Sequence, residues 1–511
     1  MKIFKPKVLL PHLLIMGIII LAVGIVWSDL RFISINGDGF VYIIQRFRAT
    51  FWNSLQSLFW LENSPFFLSS IFVPWFGAKI QSYLQLELAT MLIITAVFYT
   101  TVYLITRNIF IAASSAILQS FSYIGNWNIY VSLYAYFFDR LPSILILLPS
   151  FILLHKYLES GRIKILVLSI LVYILGIGLW HWGVLLTGLF AFYPILYSLY
   201  NKRKKIIICS LASAGYIMVS QFFVWIQSIY QPGYGGSNHS LLRIIQGNGR
   251  HNLGENLDLV FRQLTYWSQY SELINTFYRS ILHYPQQLFN NSLVLFDFSY
   301  REAIVIQPLV IAVYLFVILF TYLTLPKFRT LLLAVVVATL SAFYLNLYIG
   351  QYQVESQSGS NRYLFIPTFT LAILWSLFLY GVMVKFKKNG VLFAVFFLVV
   401  YVFINILVIR NHFYHMMPAQ KKITATWDYI VNNHERLSQQ EEIILLGPGL
   451  GGYEAEFLND HFGNGETKYF STAEIASKLR IPQDKKKIII GYDNQCKCVK
   501  ETKLEDLKKL N

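Results

Sequence analysis

The chain has 511 residues, 56% of them hydrophobic and 13% charged, with a formal charge of +16. Soluble domains run at roughly 45–50% apolar and about 25% charged, so this composition excludes a water-soluble enzyme of several domains, and the length reads as a count of membrane spans. Of the 26 acidic residues 14 follow residue 415, which separates a hydrophobic body, 1–415, from a charged soluble tail, 416–511.

The predicted elements begin with an apolar run from Val8 to Trp27, preceded by Lys2, Lys5 and Lys7. The run is long and no small-residue cleavage site follows it, so it reads as a retained helix with its N-terminus in the cytoplasm. Ten more spans are expected near 83–105, 108–126, 139–157, 164–179, 183–200, 206–227, 303–325, 330–350, 363–384 and 390–410, about eleven in all. An odd count puts the tail across the membrane from the N-terminus. Arg107, Lys156, Arg162, Lys164, Lys202 to Lys205, Lys327, Arg329, Lys385, Lys387 and Lys388 all then fall on the cytoplasmic side, as the positive-inside rule requires. Clusters between apolar runs also argue against nucleic acid, which needs cations gathered on one folded face with aromatics to stack bases.

Two outer connections are long, 29–82 and 228–302. In the first, Phe40, Ile44, Phe47, Phe51, Leu55 and Leu58 recur at spacings of three and four, the mark of an amphipathic helix lying in the membrane interface. The second opens with Gly233, Gly235, Gly236, Gly247, Gly249 and Gly254 and turns helical around Tyr266, Trp267, Phe277 and Tyr278, which suits either a lid or a cap on the bundle. After Pro418 the expected order is a helix near Thr426 to Leu437, a strand at Glu442 to Leu446, a helix at Tyr453 to His461, a strand near Lys468 to Phe470, a helix at Ala473 to Leu479, a strand at Lys486 to Gly491 and a helix at Lys503 to Leu510. That alternation predicts a small three-layer α/β domain with a parallel sheet. The fold class is thus an α-helical polytopic membrane protein with a small C-terminal α/β extracytoplasmic domain.

Charge is expensive at membrane depth, so acids in or beside spans are candidates for chemistry. Eleven of the twelve acids before residue 415 fall on the outer side: Asp29, Asp38, Glu62, Glu87, Asp139, Glu255, Asp258, Glu272, Asp297, Glu302 and Glu355; Glu159 alone is cytoplasmic. Asp38 stands between Gly37 and Gly39, which leave its carboxylate unshielded, just before the interfacial helix; a helix N-cap is its structural role. Asp139 and Arg140 begin the fourth span, with Pro142 in its first turn, and form either an ion pair at the helix mouth or a phosphate-facing pair. Glu355 and Arg362 flank the loop before the tenth span, where Arg362 and Tyr363 open the run Arg-Tyr-Leu-Phe-Ile-Pro. A guanidinium there is suited to clamp a phosphate or to anchor the interface. His181, between Trp180 and Trp182, either touches a sugar ring or sits in the interface.

This layout resembles the GT-C superfamily of membrane glycosyltransferases, in particular the protein O-mannosyltransferase and aminoarabinose transferase groups that use polyprenyl-phosphate sugars. The resemblance covers the membrane body: an acid in the first outer loop, amphipathic helices after it, a long later outer loop, the Arg362-Tyr363 entry to a late span and an outer soluble tail. It implies transfer of a sugar from a polyprenyl-phosphate donor to a lipid, glycan or protein acceptor. It also implies that Asp38 is the base, Asp139 a second acid and Arg362 with Tyr363 the late-span motif. Gly39 replaces the second acid common after the first, so a divalent metal is not favoured and no cofactor is expected.

An O-antigen ligase or polymerase, working through Arg243, Arg250, His251 and Arg262, is the closest alternative, and a secondary transporter or flippase a further one, though neither midplane charges nor inverted repeats with broken helices are evident. Gly447 to Gly452 fits a dinucleotide loop after a strand, but no acid ends the next strand, and a structural turn is expected. Cys496 and Cys498 are too close to staple a domain, Cys209 lies in a span, and His412 with His415 lacks a third metal ligand.

Overall fold

The computed structural model describes residues 6–32, 75–76, 79–123, 126, 140–179, 186–201, 206–230, 300–349, 365–440, 442–446, 455, 458–459, 462, 468–471, 487–493 and 496–503. Among them the long helices are α1 (Pro6–Val26), α2 (Ile80–Thr106), α3 (Ile109–Ser120), α4 (Arg140–Ser160), α5 (Ile163–Leu179), α6 (Thr187–Asn201), α7 (Ile206–Tyr230), α8 (Tyr300–Thr324) and α9 (Arg329–Ile349), followed by the helical run Phe365–Asn432. That run breaks at Lys387, which takes φ 49°, into α10 (365–386) and α11 (388–432). Each expected span overlaps one of these helices, without the helices being thereby shown to cross a membrane. Apolar runs of this kind become helices because no water is present in hydrocarbon to satisfy exposed backbone groups.

Among the described residues four stretches are long and apolar enough to cross a membrane: Ile80–Thr106, Ser143–Ser160, Pro326–Tyr344 and Phe365–Arg410. The outward faces agree with a lipid solvent. On α1, Leu10, Leu14, Ile18, Leu21 and Ile25 form one stripe, each 57–66% exposed. Leu315, Leu319 and Leu323 on α8 and Leu392, Phe396, Val399 and Phe403 on α11 do the same. Stripes of this extent in water would mark an aggregation site or an interface.

Small residues and short polar side chains bring the helices close, as membrane packing requires. A Cβ on Gly176 would lie 2.7 Å from Leu147, and one on Gly188 would lie 2.9 Å from Ser341. Ser143 donates to the Gly176 carbonyl at 2.6 Å, and Ser150 and Ser169 exchange bonds with each other's carbonyls at 2.8 and 2.7 Å. The turn between α10 and α11 is a tight hairpin: Trp375 stacks on Phe397 at 5.4 Å, so the two helices run side by side in opposite directions. Around Tyr380, near the end of α10, gather Phe110 at the start of α3 and Phe328 in the turn before α9, with ring centroids 6.4 and 6.2 Å away. One end of the bundle therefore collects three short turns, and these carry Arg107, Lys327, Arg329, Lys385, Lys387 and Lys388.

The tail corrects the sequence reading in three places. The last expected span, 390–410, and most of the expected helix near Thr426 to Leu437 are one helix, because α11 continues through Pro418 to Asn432 with Ile423, Trp427 and Ile430 buried; a short helix, α12 (His434–Leu437), follows. The strands β1 (Glu442–Leu446), β2 (Lys468–Ser471) and β3 (Lys487–Asp493) are parallel as expected, but a fourth, β4 (Cys498–Lys503), pairs antiparallel to β3 and gives the order β2-β1-β3-β4. Lys503 thus ends a strand instead of opening a helix. Finally, Cys496 and Cys498 are joined to each other in the β3–β4 hairpin. The expected helices at 453–461 and 473–479 and residues 504–510 lie largely or wholly outside the described residues.

Edge strand β4 is fastened through Glu501, which accepts from Tyr429 Oη at 2.7 Å and from Arg436 Nη1 at 2.9 Å. The Arg436 guanidinium holds Glu501 below the usual carboxylate range, against the opposing pull of partial burial. A depressed carboxyl contributes stability that is complete above its unfolded value of about 4.3 and is lost as pH falls through the lower folded value. Hydrogen exchange in β4, corrected for intrinsic rates, is expected to rise below about pH 4. Glu501→Gln should remove that acid step; an unchanged profile in the variant would assign it elsewhere.

Candidate functional site

The backbone brings together the helix ends that follow the expected site segments. Asp139 immediately precedes α4, whose first residue is Arg140; His181 precedes Leu186 and α6; Arg362 and Tyr363 precede Phe365 and α10. Asp38, Asp139, His181, Glu355, Arg362 and Tyr363 themselves, and the Arg140 side chain, lie outside the described residues, as do the interfacial helix at 40–58 and the glycine-rich stretch after Gly233. The ends of α5 and α6 meet where Tyr173 Oη and Thr187 Oγ1 share a bond of 2.7 Å, and α4 joins them through Ser143.

Directly inward from these ends, α2, α4, α6, α9 and α10 enclose an apolar seam. Its walls include Phe98, Ile144, Phe151, Phe190, Leu331 and Ile373, and apart from Thr101 and Thr370 every lining residue is hydrocarbon. On α4 and α10 the lining starts at Ile144 and Phe369, one helical turn past Arg140 and Phe365. The free space is narrow, about 30 Å³. Chemically the seam offers hydrocarbon a lining and offers ions nothing.

No family model matches the chain, and no curated protein matches it. The reading of function therefore rests on residues and geometry.

Polar groups gather where the ends of α1 and α3 meet the middle of α11. Trp27 Nε1 donates to the Ser120 carbonyl at 3.2 Å, and the Tyr123 backbone N–H donates to Asn405 Oδ1 at 2.8 Å. Asn126 donates to the Gln119 carbonyl at 2.6 Å, and Arg410 pairs with Asp29 at 2.7 Å. These bonds satisfy backbone groups where α3 stops at Ser120, short of the expected 126, and tie α1 to α11. They are braces for the helix ends.

Glu87 is different. It lies seven residues inside α2, about 10 Å along the axis, on the helix face that continues through Phe98 to Ile105 in the seam. Its side chain is 2% exposed, and Oε1 meets no hydrogen-bond partner among the described residues. A carboxyl oxygen so placed accepts a hydroxyl or amine donor at low dielectric, where such a bond is strong. The sequence signal for it is its position inside a predicted span, whereas the other outer acids sit in loops or at span ends. Among the described residues no three His, Cys, Asp or Glu side chains come together as a metal site.

Proposed function

We propose that the chain is an integral-membrane glycosyltransferase that moves a sugar from a polyprenyl-phosphate donor to an acceptor hydroxyl on the outer face. In this reading all eleven helices cross the membrane, the N-terminus is cytoplasmic and the tail is outside. The basic turns gathered around Tyr380 support that orientation, since cations mark the cytoplasmic end.

The observation that carries the reading is the seam. The segments bearing Asp139 with Arg140, His181, and Arg362 with Tyr363 lead straight into three of the helices that wall an all but wholly apolar space. A lipid-linked sugar has this same polarity: a hydrocarbon tail to bury and a charged phosphate to hold above it. Asp38 takes the proton from the acceptor hydroxyl, the hydroxyl oxygen attacks the anomeric carbon, and the carbon–oxygen bond to phosphate breaks with its electron pair on the phosphate. Arg362 stabilises the departing charge, Asp139 orients substrate or Arg140, and His181, Tyr363 and Glu355 border the sugar.

The test is transfer by purified protein in lipid nanodiscs, with donors of long and short polyprenyl chain. Filling the seam by Leu189→Trp is expected to raise KM for the long-chain donor about tenfold, the effect of losing roughly 1.4 kcal/mol of binding, and to leave the short-chain donor nearly unaffected. Equal loss with both donors, or no transfer from any polyprenyl-phosphate sugar, would overturn the reading.

A further inference from the structure

The β3–β4 hairpin presents a chemical group that glycosyl transfer does not use. Cys496 and Cys498 are bonded to each other across the single residue Lys497, and all three are exposed, whereas the third cysteine, Cys209, is buried in α7. We propose that Cys496 and Cys498 form an exchangeable dithiol–disulfide pair, a redox site that accepts two electrons from cysteine thiols of another protein chain.

Four observations carry this. The bond contributes little to the fold, because it closes a loop of three residues, and the loop-closure entropy removed from the unfolded chain falls with loop length. The hairpin it sits in is already fixed by the β3–β4 register, from Ile488↔Lys503 to Asp493↔Cys498. Lys497 takes φ 54°, in the left-handed region that a side chain disfavours. Charge along the hairpin favours the reactive form: Lys497 stands between the two cysteines in sequence, and the acid of β3, Asp493, is paired with Lys500, a cationic setting of the kind that stabilises thiolate.

The exchange balances without a further reagent. A partner thiolate attacks one sulfur, the Cys496–Cys498 bond breaks, and its electron pair leaves on the other sulfur, which takes up a proton. The partner's second thiolate then attacks the mixed disulfide, so that the partner becomes a disulfide and the hairpin holds two thiols. With one intervening residue, the freed sulfur stays beside the mixed disulfide and reverses any attack that is not completed. Strand direction places this chemistry close to the bundle: Glu501 lies against Tyr429 and Arg436, while Tyr492, nearer the hairpin tip, lies under Lys422, two turns of α11 closer to the membrane. The partner met there is a chain at the membrane surface.

The test uses full-length protein in nanodiscs with Cys209→Ser, so that the hairpin holds the remaining thiols. It is equilibrated with glutathione buffers of graded ratio and tagged with a maleimide of known mass. Zero tags under oxidising buffer, two under reducing buffer and a graded ratio between, with β4 amide protection unchanged, are expected. The same protein should oxidise a reduced dithiol peptide; Cys496→Ser with Cys498→Ser should abolish that, and Lys497→Glu should slow it several-fold. A pair that stays bonded in reducing buffer, thiols that never oxidise, or loss of β4 protection on reduction would overturn the proposal. Sugar transfer is measured in parallel and is expected to be unchanged, which separates this site from the glycosyltransferase reading.

Discussion

Protein carrying Asp38→Asn is expected to lose sugar transfer by roughly two to four orders of magnitude, the usual contribution of a positioned general base, while its unfolding temperature stays where it was. The choice of asparagine decides between two roles for the residue. Asn caps a helix about as well as Asp, so a residue that serves only the turn between Gly37 and Gly39 would tolerate the change. It keeps the shape and one accepting oxygen but does not take a proton at working pH. Donor KM should move little, because the acceptor proton is transferred only in the reaction step. Transfer at the parental rate with the fold intact would remove Asp38 from the site and leave it its place in the turn.

Gly390→Ala should carry the largest penalty on folding. A Cβ there would overlap the Val382 carbonyl oxygen and lie 2.8 Å from the Met383 Cα, both backbone atoms of the facing helix. No rotamer relieves such a contact, so the α10–α11 hairpin must open. Overpacking typically costs about 1–3 kcal/mol, and more where backbone must move. Denaturation in detergent should show a loss at or above the top of that range. Gly17→Ala is the matched control: nothing lies within 4 Å of its Cβ position on α1, and a helix gains about 1 kcal/mol from Ala in place of Gly. Equal stability of the two variants would mean that the hairpin does not depend on the close approach.

Span positions were legible because lipid imposes one solution on an apolar run, and α1, α2 and α8 fall where those runs lie. Helix ends were less so. The third apolar run extends to Asn126, but the helix stops at Ser120 because Tyr123 turns its N–H to Asn405, a partner 282 residues away. Pro418 reads as a boundary, yet contacts of the following turns with the sheet carry the helix past it. Strand β4 was invisible for a similar reason: Cys-Val-Lys-Glu-Thr-Lys has no apolar alternation, and its pairing depends on β3 and on the bonds from Tyr429 and Arg436 to Glu501. The candidate site shows the same division. Loop acids are candidates through the side that the span count assigns them, whereas Glu87 is marked in sequence by its place inside a predicted span and in the structure by burial and by an oxygen unmatched among the described residues.

The uninterrupted course of α11 makes the membrane body and the tail parts of one mechanical shaft. Its lower half holds α3 through Tyr401, bonded to the Leu118 carbonyl at 2.9 Å, and through Asn405. Its upper half is joined to the sheet by Tyr429, which donates to Glu501. Pro418 lies between these grips, so one helix carries both the bonds to α3 and the bond to the sheet across a residue that cannot donate to its own ladder.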